Sequence, residues 1–149
     1  MTIGNMVMGW VGPYTIDQLM DNCLDHGFQD LPESNGVYLI SHNTWPGEPT
    51  RACVPLYVGS NTGRSARFRT RVGDLFADMF GLFTIETGHS SGGQMLYDYC
   101  VLQKLNPKKL WLGWIEECSC VRCGENAVYN ALHPWLNRKQ PPRCSDHGR

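Results

Sequence analysis

Gly36-Val37-Tyr38-Leu39-Ile40 is a continuous apolar run rich in β-branched and aromatic residues, and it reads as a buried strand. Val54–Val58 has the same character. Between them, Asn43–Pro55 carries three Pro and one Gly, so it reads as a long turn and the two runs as the arms of a hairpin.

Upstream, Thr15 can cap a helix over about 16–26, with Ile16, Leu19, Met20, Cys23 and Leu24 at helical spacing and Gly27 as its stop. Downstream, residues 66–80 make the clearest helix. Phe68, Val72, Leu75, Phe76 and Met79 form one apolar stripe, and Arg67, Arg71, Asp74 and Asp78 fall on another face. A Gly/Ser-rich turn follows over Thr87–Gly93, then a helix over about 94–105 that ends before Pro107. Leu110–Ile115 reads as a strand. A Cys-rich connection leads to a last helix over about 125–133, opened by Glu125 and ended by Pro134. The order α-β-β-α-α-β-α implies an α/β (α+β) layer fold: a small, largely antiparallel three-stranded sheet flanked by helices. One domain is expected over 1–149, with a helical extension at about 1–33 and a Cys-containing tail at about 138–149.

At 149 residues and 42% hydrophobic content the chain can build one core. No run of about 18 apolar residues is present, and the first residues lack a basic, then apolar, leader pattern, so no membrane association and a cytoplasmic location are expected. The net charge is −1, but unevenly spread. Residues 1–50 hold six acids and no Lys or Arg; all 13 Lys and Arg lie in 51–149 against eight acids, a local net of +5. That half would attract a polyanion.

Gly36-Val37-Tyr38 and Tyr57-Val58-Gly59 resemble the two signature elements of the GIY-YIG nucleases. Three further matches support the likeness. Arg67 lies ten residues after Tyr57 on the strongest helix, Glu125 sits on the helix after Leu110–Ile115, and Asn137 follows Pro134, twelve residues beyond Glu125. The resemblance covers about 36–137. It implies a metal-dependent DNA endonuclease in which Glu125 holds Mg2+ (or Mn2+), Arg67 pairs with phosphate, Tyr38 and Tyr57 position or deprotonate water, and Asn137 keeps the geometry. Tyr57 is the favoured base. The departures are a long segment between Tyr38 and Tyr57 and a Ser at position 60, where some members carry Lys. Arg71 or His89 could fill the basic position that often sits beside the Arg.

The residue types suit this chemistry on their own terms. Phosphodiester hydrolysis needs an aligned water, stabilised charge at phosphorus and help for the leaving oxygen. A carboxylate-held divalent ion polarises a phosphate oxygen, and a guanidinium fork pairs with phosphate. A phenol titrates near 10, so as a base it needs a cation beside it. Each residue also has a plainer role: Glu125 as a favourable charge at a helix start, Arg67 as a surface ion-pair partner of Asp74 or Asp78, and the tyrosines as sheet aromatics. Arg64 and Arg69 would contact DNA backbone or lie solvated. On the nuclease reading Tyr38, Tyr57, Arg67 and Glu125 should meet on one concave, positively charged surface. The competing reading is an inactive DNA-binding or zinc-stabilised interaction module.

Seven Cys without a secretion signal favour free thiols or a metal site over disulfides. Cys118, Cys120 and Cys123, followed by Cys144 and His147, supply five candidate ligands for a four-coordinate structural Zn2+: Cys118 or Cys120, then Cys123, Cys144 and His147. Ordinary reduced thiols are the alternative. Cys23, Cys53 and Cys100 read as core residues.

Overall fold

The computed structural model describes residues 2–3, 6–7, 9–26, 35–61, 68–81, 91–116 and 120–144. The hairpin forms as read. Strand β4 (Gly36–Ser41) pairs antiparallel with β5 (Pro55–Asn61), with Tyr38 opposite Gly59 and Ile40 opposite Tyr57. Every residue of β4 is buried, as a run apolar on both sides of the pleat requires. The other edge of β4 pairs with β6 (Trp111–Glu116).

The sheet has four strands, not three. Trp10–Thr15, expected to lie in a helical extension, forms β3, and the order is β3-β6-β4-β5, antiparallel throughout. Gly12 and Pro13 hid this strand. Pro is tolerated at a sheet edge, and the register of β3 against β6 shifts between Val11 and Tyr14, around those two residues. Gly12 has φ +91°, a conformation open to glycine. Short strands β1 (Thr2–Ile3) and β2 (Met6–Val7) form a separate ribbon.

Helix α1 (Ile16–His26) follows β3 directly. The Thr15 hydroxyl accepts from Gln18 N at 3.1 Å while Gln18 Oε1 accepts from Thr15 N at 2.9 Å, a reciprocal cap that fixes the start. Helix α2 (Phe68–Met79) buries Val72, Leu75, Phe76 and Met79. Each contributes about 1.5–3 kcal/mol of apolar burial. Asp78, expected on the polar face, is also buried, because α3 packs along α2 and covers more than the apolar stripe. Helix α3 (Ser91–Gln103) starts three residues earlier than expected, with Ser91-Gly92-Gly93 in its first turn. Two glycines in a helix each cost about 1 kcal/mol relative to alanine, which is why they read as a turn. Helix α4 (Val121–Leu132) starts four residues early and ends at His133 in the left-handed conformation, just before Pro134. Glu125 therefore stands in the second turn and does not open the helix.

Alternation along the strands sends side chains to two cores. Tyr38, Ile40, Leu112 and Trp114 face α1, α2 and α3, joined by Leu56, the extra residue where the β4–β5 register shifts; Val37, Leu39, Val58 and Ile115 face α4 and Trp45. Beyond α4 the chain runs beside β5. Trp135 N donates to Pro55 O at 3.1 Å and Leu136 N to Leu56 O at 2.8 Å, closing an edge that would otherwise present unpaired backbone. Among the described residues, no helix is long and apolar enough to cross a membrane.

Candidate active site

Tyr38 and Tyr57 come together on the face covered by α1–α3, with ring centroids 6.2 Å apart and planes inclined at 39°. Both rings lie on glycine. A Cβ on Gly59, the residue opposite Tyr38, would overlap Tyr38 Cζ and Oη. A Cβ on Gly92 would fall 2.6 Å from Tyr57 Cε2. The Gly of Tyr57-Val58-Gly59 is thus a packing requirement of the other phenol. Gly92 brings the Tyr57 ring to the first turn of α3, where the helix dipole favours an anionic oxygen.

Glu125 lies in the sheet-facing stripe of α4. Val121, Val128 and Leu132, at i−4, i+3 and i+7 from it, are 7%, 0% and 5% exposed. Ser60 Oγ donates to Glu125 Oε2 at 2.5 Å. Ser60 pairs with Val37, whose side chain packs on the α4 side, so Ser60 and Glu125 occupy the face opposite the phenols. The expected single surface holding both phenols and Glu125 is therefore replaced by an arrangement that flanks β5. Tyr38 crosses one side of Gly59, and the carboxylate is anchored at Ser60 on the other.

Asn137 grips the same strand. Its Nδ2 donates to Val58 O and its Oδ1 accepts from Val58 N, both at 2.9 Å, so the side chain replaces a strand partner one residue before Gly59. Arg69 and Arg71 lie in the first turn of α2, with only their backbone described. Arg64, Arg67 and His89 lie outside the described residues. Ser60 and Gly92 were missed as site residues. The first appeared only as a departure from the family pattern, the second as part of a glycine-rich turn.

The thiols divide by environment. Burial pushes the Cys100 thiol up to about 11 and raises that of Cys53, so both are inert core groups. Cys120, Cys123 and Cys144 instead converge. Cys144 Sγ lies 3.4 Å from each of the other two sulfurs, and all three fall within 4.8 Å of one another. A backbone hydrogen bond from Cys144 pulls the Cys123 thiol below its ordinary value. Tetrahedral thiolates at about 2.3 Å from a zinc ion stand about 3.8 Å apart. The three sulfurs thus fit the donor type and spacing of a metal such as zinc. Cys118 and His147, the other candidate ligands, lie outside the described residues, as does Cys23's side chain.

No protein-family model, curated protein or solved structure matches the chain.

Proposed function

We propose that the chain is a metal-dependent DNA endonuclease that hydrolyses phosphodiester bonds with a GIY-YIG-type set: Tyr38, Tyr57, Arg67 and Glu125. The observation that carries this reading is Glu125 itself. An apolar side chain would pack among Val121, Val128 and Leu132 without desolvation cost, yet a carboxylate stands there, held by Ser60. Glu125 would hold Mg2+ or Mn2+, with substrate phosphate and water as further oxygen ligands. That ion, when bound, polarises a phosphate oxygen and offsets the charge that develops on it. Ser60 orients the carboxylate, and Asn137 fixes β5 between it and the phenols. Tyr57, as a phenolate, takes the proton of the attacking water while the water oxygen bonds to phosphorus and the P–O bond to the leaving sugar oxygen breaks, that oxygen taking a proton from solvent. Tyr38 orients water or phosphate, and Arg67, with Arg71 or His89, pairs with the phosphate. Arg64 and Arg69 add contacts to the DNA backbone. The reacting phosphate sits at Gly59-Ser60, where the two halves approach the strand from its two faces. Structural Zn2+ is the ion we assign to the thiols.

The separation of Glu125 from the phenols by β5 favours a second reading, an inactive DNA-binding or zinc-stabilised module on this fold. Nicking of supercoiled plasmid with Mg2+, against the same mixture with EDTA, separates the two. Chelator-sensitive nicking supports the enzyme; unaltered plasmid with intact DNA binding supports the module.

A further inference from the structure

We infer that zinc at Cys120, Cys123 and Cys144 acts as a clasp that docks residues 138–144 on α4 and thereby holds the strap along the outer edge of β5. The inference rests on the zinc assignment and is independent of nuclease activity. Cys120 caps α4 and Cys123 lies in its first turn, whereas Cys144 is 21 residues beyond Cys123, so one ion would join the start of the helix to the far end of the tail. The tail between has little of its own to bury: Arg138, Lys139, Gln140, Pro142 and Arg143 are exposed.

Amide contacts mark the same docking line. Asn126 Nδ2 donates to Pro141 O at 2.7 Å in a buried bond, Asn130 Nδ2 donates to Asn126 Oδ1 at 3.1 Å, and Gln140 Nε2 donates to Asn130 Oδ1 at 2.6 Å. These amides line one side of α4 and lead the tail to the sulfurs. Asn137 heads the tail while bonded to Val58. The clasp therefore closes a loop from α4, across the edge of β5 and back to α4. Three thiolates leave one position of a tetrahedral ion.

The test uses the full chain purified without added metal. Elemental analysis should find about one zinc per chain, the stoichiometry of a closed structural site. Chelation should then speed trypsin cleavage after Arg138 and Lys139 by about tenfold or more and raise hydrogen exchange at Val58 N, while amides of β4 and β6 stay protected. Re-addition of Zn2+ should reverse both changes, which sets tail release apart from unfolding. Cys144→Ser should lose the metal and behave like the chelated chain. Zinc at background level, with Cys120, Cys123 and Cys144 open to a thiol reagent in a stable fold, overturns the zinc assignment itself. Zinc that is present but whose removal leaves cleavage and Val58 exchange unchanged overturns the clasp alone.

Discussion

Ser60 Oγ donates to Glu125 Oε2 at 2.5 Å, joining the end of β5 to the sheet-facing side of α4. A carboxylate that binds a metal is oriented by such a bond, and removing an orienting partner weakens metal affinity or activity by about 10–100-fold. Ser60→Ala should therefore raise the Mg2+ concentration for half-maximal nicking by about tenfold, with the rate at saturating Mg2+ nearly retained. An unchanged Mg2+ titration would mean that the bond serves packing alone.

Glu125→Gln keeps the shape and a carbonyl acceptor for Ser60 but removes the charge that would hold the ion. Nicking should fall by at least about 100-fold, since a bound metal contributes several kcal/mol to the transition state. DNA affinity in EDTA and the unfolding midpoint should stay close to wild type. Wild-type cutting rates in this variant would sink the assignment.

How much of this was legible follows from which signals are local. The hairpin, α1 and the stripe of α2 rest on apolar runs, the Thr15–Gln18 cap and helical spacing, all contained in a few residues. Strand β3 was hidden because its Gly12 and Pro13 speak against a strand, and only its pairing with β6 overrides them. The start of α4 was misplaced because Cys120 caps it without a side-chain hydrogen bond, leaving no capping signal to read. The thiol cluster was readable from spacing, since Cys120, Cys123 and Cys144 were all candidates. That Glu125 and Tyr38 lie on opposite faces depends on the pairing of Ser60 with Val37 and of Gly59 with Tyr38. A shift of one residue would exchange the faces, and no local pattern encodes that register.

Asn137→Ala removes both bonds to Val58. At about 0.5–1.5 kcal/mol each, the variant should lose about 1–3 kcal/mol. For a chain of this size each kcal/mol lowers Tm by about 2–4 °C, so a drop of several degrees is expected by calorimetry. Asn137→Asp keeps the acceptor but turns a carboxylate oxygen toward Val58 O, and should be no more stable than alanine. An unshifted Tm in both variants would show that the strap is held without Asn137.

Cys100 gives a pH dependence with a definite sign. Its thiol, 3% exposed, is pushed from 9.0 up to about 11 by burial. A raised value in the folded state favours folding while the thiol is neutral in both states, below 9.0, and that advantage fades as pH rises from 9.0 through about 11. The loss attributable to this group over that window is about 2 kcal/mol. Urea unfolding across the alkaline range should show a shallower decline in Cys100→Ala than in wild type, and parallel curves would remove Cys100 from the account.

Gly92→Ala pits two effects of known sign against each other. In an open first turn of a helix, alanine would stabilise by about 0.5–1 kcal/mol. Here the added methyl meets the Tyr57 ring, 2.6 Å from Cε2, and overpacking of that kind costs about 1–3 kcal/mol. The net expectation is destabilisation, together with reduced nicking, because either Tyr57 or the first turn of α3 must move. A double-mutant cycle isolates the contact. In a Tyr57→Ala background the ring is gone, and Gly92→Ala should become neutral or stabilising. If Gly92→Ala instead stabilises the wild-type protein and leaves nicking untouched, the phenol does not rest on α3, and the helix N-terminus has no part in positioning the proposed base.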